Sequence, residues 1–344
     1  MTNSRITIKD LAERLNLSIS TISRALNDHP SIGKKTTKEV KKLARELGFT
    51  PNTMASNLRR NKTQSIGVIV PRIDIHFHSH VISGIEETAY RLGYNVTIFQ
   101  SRDSLEREIA VTEILQAKRV EGVIACLGLE TTDSRHFARF NEIKIPLVFY
   151  DRVSKDVESS KVIIDDFDAA FRATEHLINT GCRNIAHIAG NRNTDIFKAR
   201  VKGYKAALLK HDLEANENLI QYTSELSYEE GATCAKKLLT VTPLPDGVFC
   251  ANDNTAISAI QVFKKANLRI PEDIAVVGFS NYPISSIMEP TLTTIDDRAF
   301  EMGQTAAKLL IRQIEDKDQN IASETIVIKT DLIVRDSTNR NPKG

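Results

Sequence analysis

The sequence predicts an all-α helix-turn-helix head joined to a larger α/β body of parallel sheets arranged in two lobes. Three observations predict it. The first sixty residues carry three short stretches of helical periodicity and a surplus of basic side chains. From residue 65 onward, short apolar runs alternate with longer amphipathic stretches. At 344 residues the chain is long for one domain and natural for two or three.

In the head, Thr7-Ile8-Lys9-Asp10 has the form of a helix N-cap with an acidic residue three positions on. Ile8, Leu11, Ala12 and Leu15 follow at the spacing of one apolar helix face. Asn16-Leu17-Ser18 interrupts that pattern and offers Ser18 as the cap of a second helix. There Ile22, Ala25 and Leu26 form the inward stripe, leaving Ile19, Ser20, Ser23, Arg24 and Asn27 outside. Thr36-Thr37-Lys38-Glu39 reads as a capping box opening a third helix, with Val40, Leu43, Ala44 and Leu47 on one face and Gly48 as its stop. Two short helices across a tight turn, with a third packed on them, make a helix-turn-helix whose second helix enters a major groove. In that setting Arg24 reaches a guanine edge or a phosphate, Ser20 bonds base edges and Ile19 packs on a thymine methyl. The plainer alternative is a three-helix bundle with solvated polar faces.

Charge separates the two parts. Residues 1–62 hold 13 Lys/Arg against 5 Asp/Glu, and the remainder 33 against 39. A basic head on a mildly acidic body is the footprint of a chain of which only the head meets a polyanion. Residues 51–63 are polar and basic, with Leu58 directly before Arg59 and Arg60. That composition suits a linker and a minor-groove wedge equally; in a wedge, leucine unstacks a base step while the arginines hold phosphates.

In the body, strands are expected at residues 66–70, 96–99, 122–126, 146–150, 184–189, 219–222, 248–251 and 275–279, with helices such as 81–92 and 200–210 between them. The β-then-α order calls for parallel sheets covered on both faces, and a break near residues 152–162 favours two lobes over one large sheet. Such lobes bind ligands in the crevice at the carboxyl ends of their strands. Asp151-Arg152, Asn252-Asp253 and Ser280-Asn281 follow strand ends, and Arg200 follows a polar loop. Carboxylates, amides and an arginine suit a ligand rich in hydroxyls, and Phe77 with His78 offers a face for a sugar ring. Taken singly, each of these residues reads equally well as a cap, a turn or a surface charge.

Other classes fit less well. There is no run of about 18 apolar residues, and MTNSRITIKDLAER has no signal-peptide core, which reads as a cytoplasmic chain with no membrane partner. Cys126, Cys182, Cys234 and Cys250 form no CxxC and read as buried free thiols, so neither metal nor cofactor is expected. The sequence holds no P-loop, Gly-x-Ser-x-Gly or HExxH that would point to an enzyme. A periplasmic ligand carrier would lack the basic head and need an export signal.

The string TIKDLAERLNLSISTISRALNDHPSIGKKTTKEVKKLARELGFTPN, followed by ASNLRRNKTQSIGVIVP, closely resembles the lactose/galactose (LacI/GalR) repressor family of bacterial transcriptional regulators. Phe149-Tyr150-Asp151-Arg152, Ala251-Asn252-Asp253, Val277-Gly278-Phe279 and Pro290-Thr291-Leu292-Thr293-Thr294-Ile295 extend the resemblance over essentially the whole chain. It implies a homodimeric repressor of a pseudo-palindromic operator, controlled allosterically by a small polar effector, a sugar or sugar derivative. It places Ile19 and Ser20 at base-reading positions, Arg24 at the base-contacting arginine, and Ser18, Thr21 and Asn27 against phosphates. Asn52, Ala55 and Leu58, with Arg59 beside them, match a hinge helix that forms on DNA with leucine as its lever.

The implied body is like the periplasmic sugar-binding proteins, with the chain crossing between lobes three times. The domains are then 1–50, a hinge at 51–63, and 64–344, with lobe one about 64–162 and 295–325 and lobe two about 163–292 and 327–340. Arg200 and Asn252 are the leading ligand contacts, joined by Phe77, His78, Asp151, Arg152, Asp253 and Ser280. One departure matters, since many sugar- and purine-binding members carry an aspartate where Ser280 stands. Two substitutes are open: Asp253 or Asp151 takes over its role, or the effector is an anion paired with Arg200 or Arg152. No apolar heptad run lies near the end of the sequence, so a dimer is expected rather than a tetramer.

Overall fold

The computed structural model describes residues 6–49, 63–316 and 322–340. They fall into two compact units, one ending at Thr63 and one beginning at Gln64.

The head contains α1 (Ile8–Leu15), α2 (Ile19–Leu26) and α3 (Lys34–Glu46). At the start of α1 the Thr7 backbone N–H and hydroxyl both donate to Asp10 Oδ2, at 2.7 and 2.9 Å. Asn16, with φ 50°, turns the chain, and Ser18 Oγ accepts the Thr21 N–H at 3.1 Å to begin α2. Leu11, Ile22, Ala25 and Val40 are fully buried where the three helices meet. Helix α3 departs from expectation: it starts at Lys34 with Gly33 at its cap, ahead of the Thr36–Glu39 box. Glycine is itself an acceptable N-cap and lysine a good helix former, so the start moves upstream of the hydroxyl pair. At the far end Gly48, at φ +64°, lets the Phe49 N–H reach Ala44 O (2.8 Å) and its own N–H reach Arg45 O (3.2 Å). A residue with a β-carbon is strained in that left-handed closing turn.

The body is built on two six-stranded sheets of matching design. The first takes β1 (Ser65–Val70), β2 (Asn95–Gln100), β3 (Gly122–Ala125), β4 (Leu147–Tyr150), β5 (Ser160–Ile164) and β11 (Thr325–Ile328), in the order β2-β1-β3-β4-β5-β11, all parallel. The second takes β6 (Ile185–Ala189), β7 (Ile220–Tyr222), β8 (Gly247–Cys250), β9 (Ala275–Phe279), β10 (Thr293–Asp296) and β12 (Asp331–Ile333), in the order β7-β6-β8-β9-β10-β12. Here β12 runs antiparallel to β10. The helices are α4 (His76–Arg91), α5 (Leu105–Ala117), α6 (Ala138–Glu142), α7 (Asp166–Asn179), α8 (Asp195–Lys210), α9 (Tyr228–Leu238), α10 (Asp253–Lys265) and α11 (Ala299–Glu315). Central strands such as β6 and β9 are buried at every position, which is why they read as unbroken apolar runs. Helices α4 and α11 approach so closely that a β-carbon on Gly84 or Gly303 would collide with the Phe300 or Val81 carbonyl oxygen.

The chain crosses between lobes after Ile164, after Asp296 and after Ile328. These points correct the expected lobe limits. Residues 163–164 complete β5 of lobe one, residues 295–296 complete β10 of lobe two, and β11 of lobe one extends to Ile328. Each crossing waits for a strand to be fully paired, because leaving earlier would strand backbone donors and acceptors at the sheet edge. All four cysteines are buried and free. Among the described residues, no helix is long and apolar enough to cross a membrane.

Candidate functional site

Helix α2 is held by the buried Ile22 and Ala25, which leaves one face outward. Ile19, 40% exposed, shares that face with the exposed Ser20, Arg24 and Asn27. Thr21 and Ser23 are half-buried beside them. The Ser18 hydroxyl is engaged locally, capping α2 and meeting the Ser20 and Thr21 hydroxyls at 2.8 Å each. Asn27 Nδ2 donates to Ser23 O at 2.8 Å. Asn52, Ala55, Leu58 and Arg59 lie outside the described residues.

The second region is a cleft between the two lobes, enclosing about 670 Å³ with the solvent at its mouth included. Its walls come from the segments past the carboxyl ends of β1, β2, β3, β4, β7, β8, β9 and β10 and from the N-terminal parts of α4 and α8. Phe77, His78, Asp151, Arg152, Arg200, Asn252 and Ser280 all line it. Arg200, buried in α8, donates from Nε to Asp166 Oδ1 and from Nη1 to Ala251 O, both at 2.7 Å. Its guanidinium lies 3.6 Å over the Phe279 ring, and Nη2 has no protein partner among the described residues. Arg152 Nη1 donates to Asp103 Oδ1 at 2.8 Å and Nη2 to His78 Nε2 at 3.4 Å. An arginine only donates, so His78 carries its proton on Nδ1, which faces the Tyr150 hydroxyl at 3.3 Å. Burial holds the His78 pKa well below its ordinary value and keeps the ring neutral. Asn252 is the N-cap of α10: Oδ1 accepts the Thr255 N–H and Nδ2 donates to Leu226 O, both at 2.9 Å. Two ion pairs, Arg72–Glu225 (3.0 Å) and Lys155–Asp195, bridge the lobes across the cleft.

Asp253 does not belong to this lining. It is fully buried, with Oδ2 accepting the Tyr282 N–H and the Ser285 hydroxyl and Oδ1 accepting the Thr294 hydroxyl, each at 2.7 Å. Its neighbour Asn252 faces the cleft, but one step further on, in the first turn of α10, the side chain turns into the lobe. The role of ligand contact expected for Asp253 is therefore replaced by that of a brace joining α10, the loop after β9, and β10.

The chain matches two family descriptions: "Bacterial regulatory proteins, lacI family" over residues 7–52, and "Periplasmic binding proteins and sugar binding domain of LacI family" over residues 63–335. The chain belongs to the LacI family. It is 31% identical over 336 residues to the HTH-type transcriptional repressor CytR of Escherichia coli strain K12, covering 98% of this chain and 97% of that one. Among solved structures, the Lac repressor dimer bound to operator and the anti-inducer ONPF superposes with a TM-score of 0.87 at 25% identity, covering 97% of this chain and 99% of that one. The transcriptional regulator CelR in complex with cellobiose matches at 0.73 and 28%, covering 97% and 100%. As a LacI-family member, this chain is a DNA-binding transcriptional regulator and not an enzyme.

Within the LacI frame, the departure at Ser280 acquires a structural counterpart that the sequence reading missed. Ser280 sits at φ 92°, a bend fixed by its N–H on Ile295 O at 2.8 Å, and its side chain favours the ionised form of the Asp297 carboxyl. Asp297 lines the cleft, 3% exposed, immediately after the second crossing. Phe197 and Tyr282 are two further lining residues that the reading did not include. Burial pushes the Asp297 pKa to about 7, opposed by Ser280 and Arg200. Because this folded value lies above that of an unfolded aspartate, the carboxyl adds stability at low pH and loses it as pH rises from about 4 to 7. The buried neutral histidines His78 and His187 act in the opposite direction, so the difference between variants is the informative quantity. Asp297→Asn is expected to gain stability relative to the wild type between pH 4.5 and 7.5 in urea melts; a constant difference would show that Asp297 is ionised throughout.

Proposed function

We propose that this LacI-family regulator is a cytoplasmic repressor working as a homodimer. Its two α2 helices read successive major grooves of a pseudo-palindromic operator, and a small polyhydroxylated effector in the interlobe cleft switches the grip. The observation that carries the effector half is the cleft itself: a fixed guanidinium with one free edge, buried carboxylates and the aromatic walls Phe77, Phe197 and Tyr282 suit vicinal hydroxyls over an apolar ring face. Relatives support the class, since CelR is described with cellobiose and an Enterococcus faecium family member with ribose. Phe77, His78, Asp151, Arg152, Arg200, Asn252 and Ser280 are assigned to the effector. Ser18, Ile19, Ser20, Thr21, Arg24 and Asn27, with the hinge residues Asn52, Ala55, Leu58 and Arg59, are assigned to DNA.

A ligand shifts the lobes only through unequal affinity for their arrangements, and Arg72–Glu225 and Lys155–Asp195 are among the contacts that opening must break. A gel shift over a pool of palindromes, with and without sugars, tests the function; absence of specific, salt-dependent binding would sink it. In the same assay Arg24→Ala is expected to weaken specific binding about 10- to 100-fold while the salt slope barely changes, as for a base contact. Leu58→Ala should lose several-fold in operator affinity with ligand binding intact, and an unchanged affinity would reject the wedge.

A further inference from the structure

The cations of the cleft are already committed. Arg152 is paired to Asp103, Arg200 to Asp166, and Arg72 to both Asp74 and Glu225. Two lining carboxylates are left over. Asp297, 3% exposed, forms no ion pair among the described residues and has the Ser280 side chain favouring its ionised form. Asp151, held at φ 57° just past β4, reaches the Cys126 thiol at 3.8 Å and the Nε of the already committed Arg152 at 3.9 Å. A buried carboxylate without its own cation carries a desolvation cost that a ligand can relieve. The same pairing leaves little for an anionic effector, since Asp166 and Asp103 already neutralise the two arginines that would have to receive it.

We infer that the cleft takes a polyhydroxylated ligand bearing a cationic amine, an amino sugar, with its ammonium between Asp151 and Asp297. This rests on the effector-binding reading above and narrows its chemistry. Three groups then divide the work. The free edge of Arg200 holds hydroxyl oxygens, Phe77 and Tyr282 flank the ring, and the two acids receive the N–H donors. The Asp297 pKa of about 7 is consistent with this, since burial favours placing a positive charge, a proton or an ammonium, on that carboxylate.

The test uses the full chain at pH 7.5 with matched probes. These are D-glucosamine, D-galactosamine and D-mannosamine, each beside its parent hexose, its N-acetyl derivative and its uronic acid, followed by thermal shift and calorimetry. At least one amine is expected to bind about tenfold or more tightly than its neutral N-acetyl and parent partners, as a charge-assisted contact implies. Asp297→Asn and Asp151→Asn, which keep the shape of the site, should each erase most of that preference. Equal or tighter binding of the neutral or uronic partner overturns the inference, as does a panel inert throughout or a preference that survives both substitutions. The operator gel shift is independent of these outcomes, so failure of the ligand class and failure of the regulator reading remain distinguishable.

Discussion

Replacing Asp253 by alanine is expected to destabilise the body by about 3–5 kcal/mol, because it leaves three buried donors without an acceptor and each costs about 1–3 kcal/mol. The carboxylate ties the N-terminus of α10 to Tyr282 and Ser285 on one side and to Thr294 of β10 on the other. Burial raises its pKa to about 6, opposed by the Thr294, Ser285 and Tyr282 hydrogen bonds, so those bonds supply the compensation that lets the group sit there. Asp253→Asn keeps one acceptor oxygen and should fall between wild type and alanine. Tyr282 and Ser280 belong to the loop this brace positions, so ligand affinity should fall together with stability. Urea denaturation of the variant beside a binding titration decides the matter. An alanine variant of wild-type stability that loses only ligand would return Asp253 to the cleft and overturn the brace.

The neighbouring positions Asn252 and Asp253 show how far sequence alone reaches into this site. A polar pair after an apolar run marks a strand end, and Asp151, Arg152, Asn252 and Ser280, singled out by that rule, line the cleft. It could not show that the second member of the pair turns inward, because that depends on where the first helical turn begins. The head was legible for a similar reason: the 3.6-residue spacing of Leu11, Leu15, Ile22 and Leu26 is a local property. The start of α3 was less so, since Gly33 and Thr36 both satisfy capping chemistry.

Strands β5, β10, β11 and β12 escaped because their sequences lack the continuous apolar run of a central strand. SKVII alternates burial, TTID opens on threonines, and the remaining two are short, β11 alternating exposed with more buried positions and β12 half-buried throughout. Missing β5 and β10 also hid Asp166 and Asp297, which follow those strands at the crossings. An acidic residue at each of these strand ends, Asp165-Asp166 and Asp296-Asp297, is the signal that could have exposed both.

Arg200→Ala is expected to abolish ligand response and to lower the stability of the body by about 3–5 kcal/mol, while the intact fraction still binds operator. The stability loss follows from Asp166, which would be left buried without its 2.7 Å partner, although its pKa of about 6 means that protonation at slightly acid pH would soften the loss. Loss of function alone would therefore not separate a ligand contact from a support. The double variant Arg200→Met/Asp166→Leu does separate them. Replacing both members of a buried pair by apolar groups of similar volume is often neutral or stabilising, so it should restore much of the stability. If Arg200 holds the effector through its free Nη2 edge, the double variant remains folded, binds operator and ignores whichever sugar shifts the wild type. Recovery of the ligand response together with stability would show that Arg200 serves only to brace the first crossing, and the effector contacts would then have to be sought among Asp151, Asp297 and the aromatic wall.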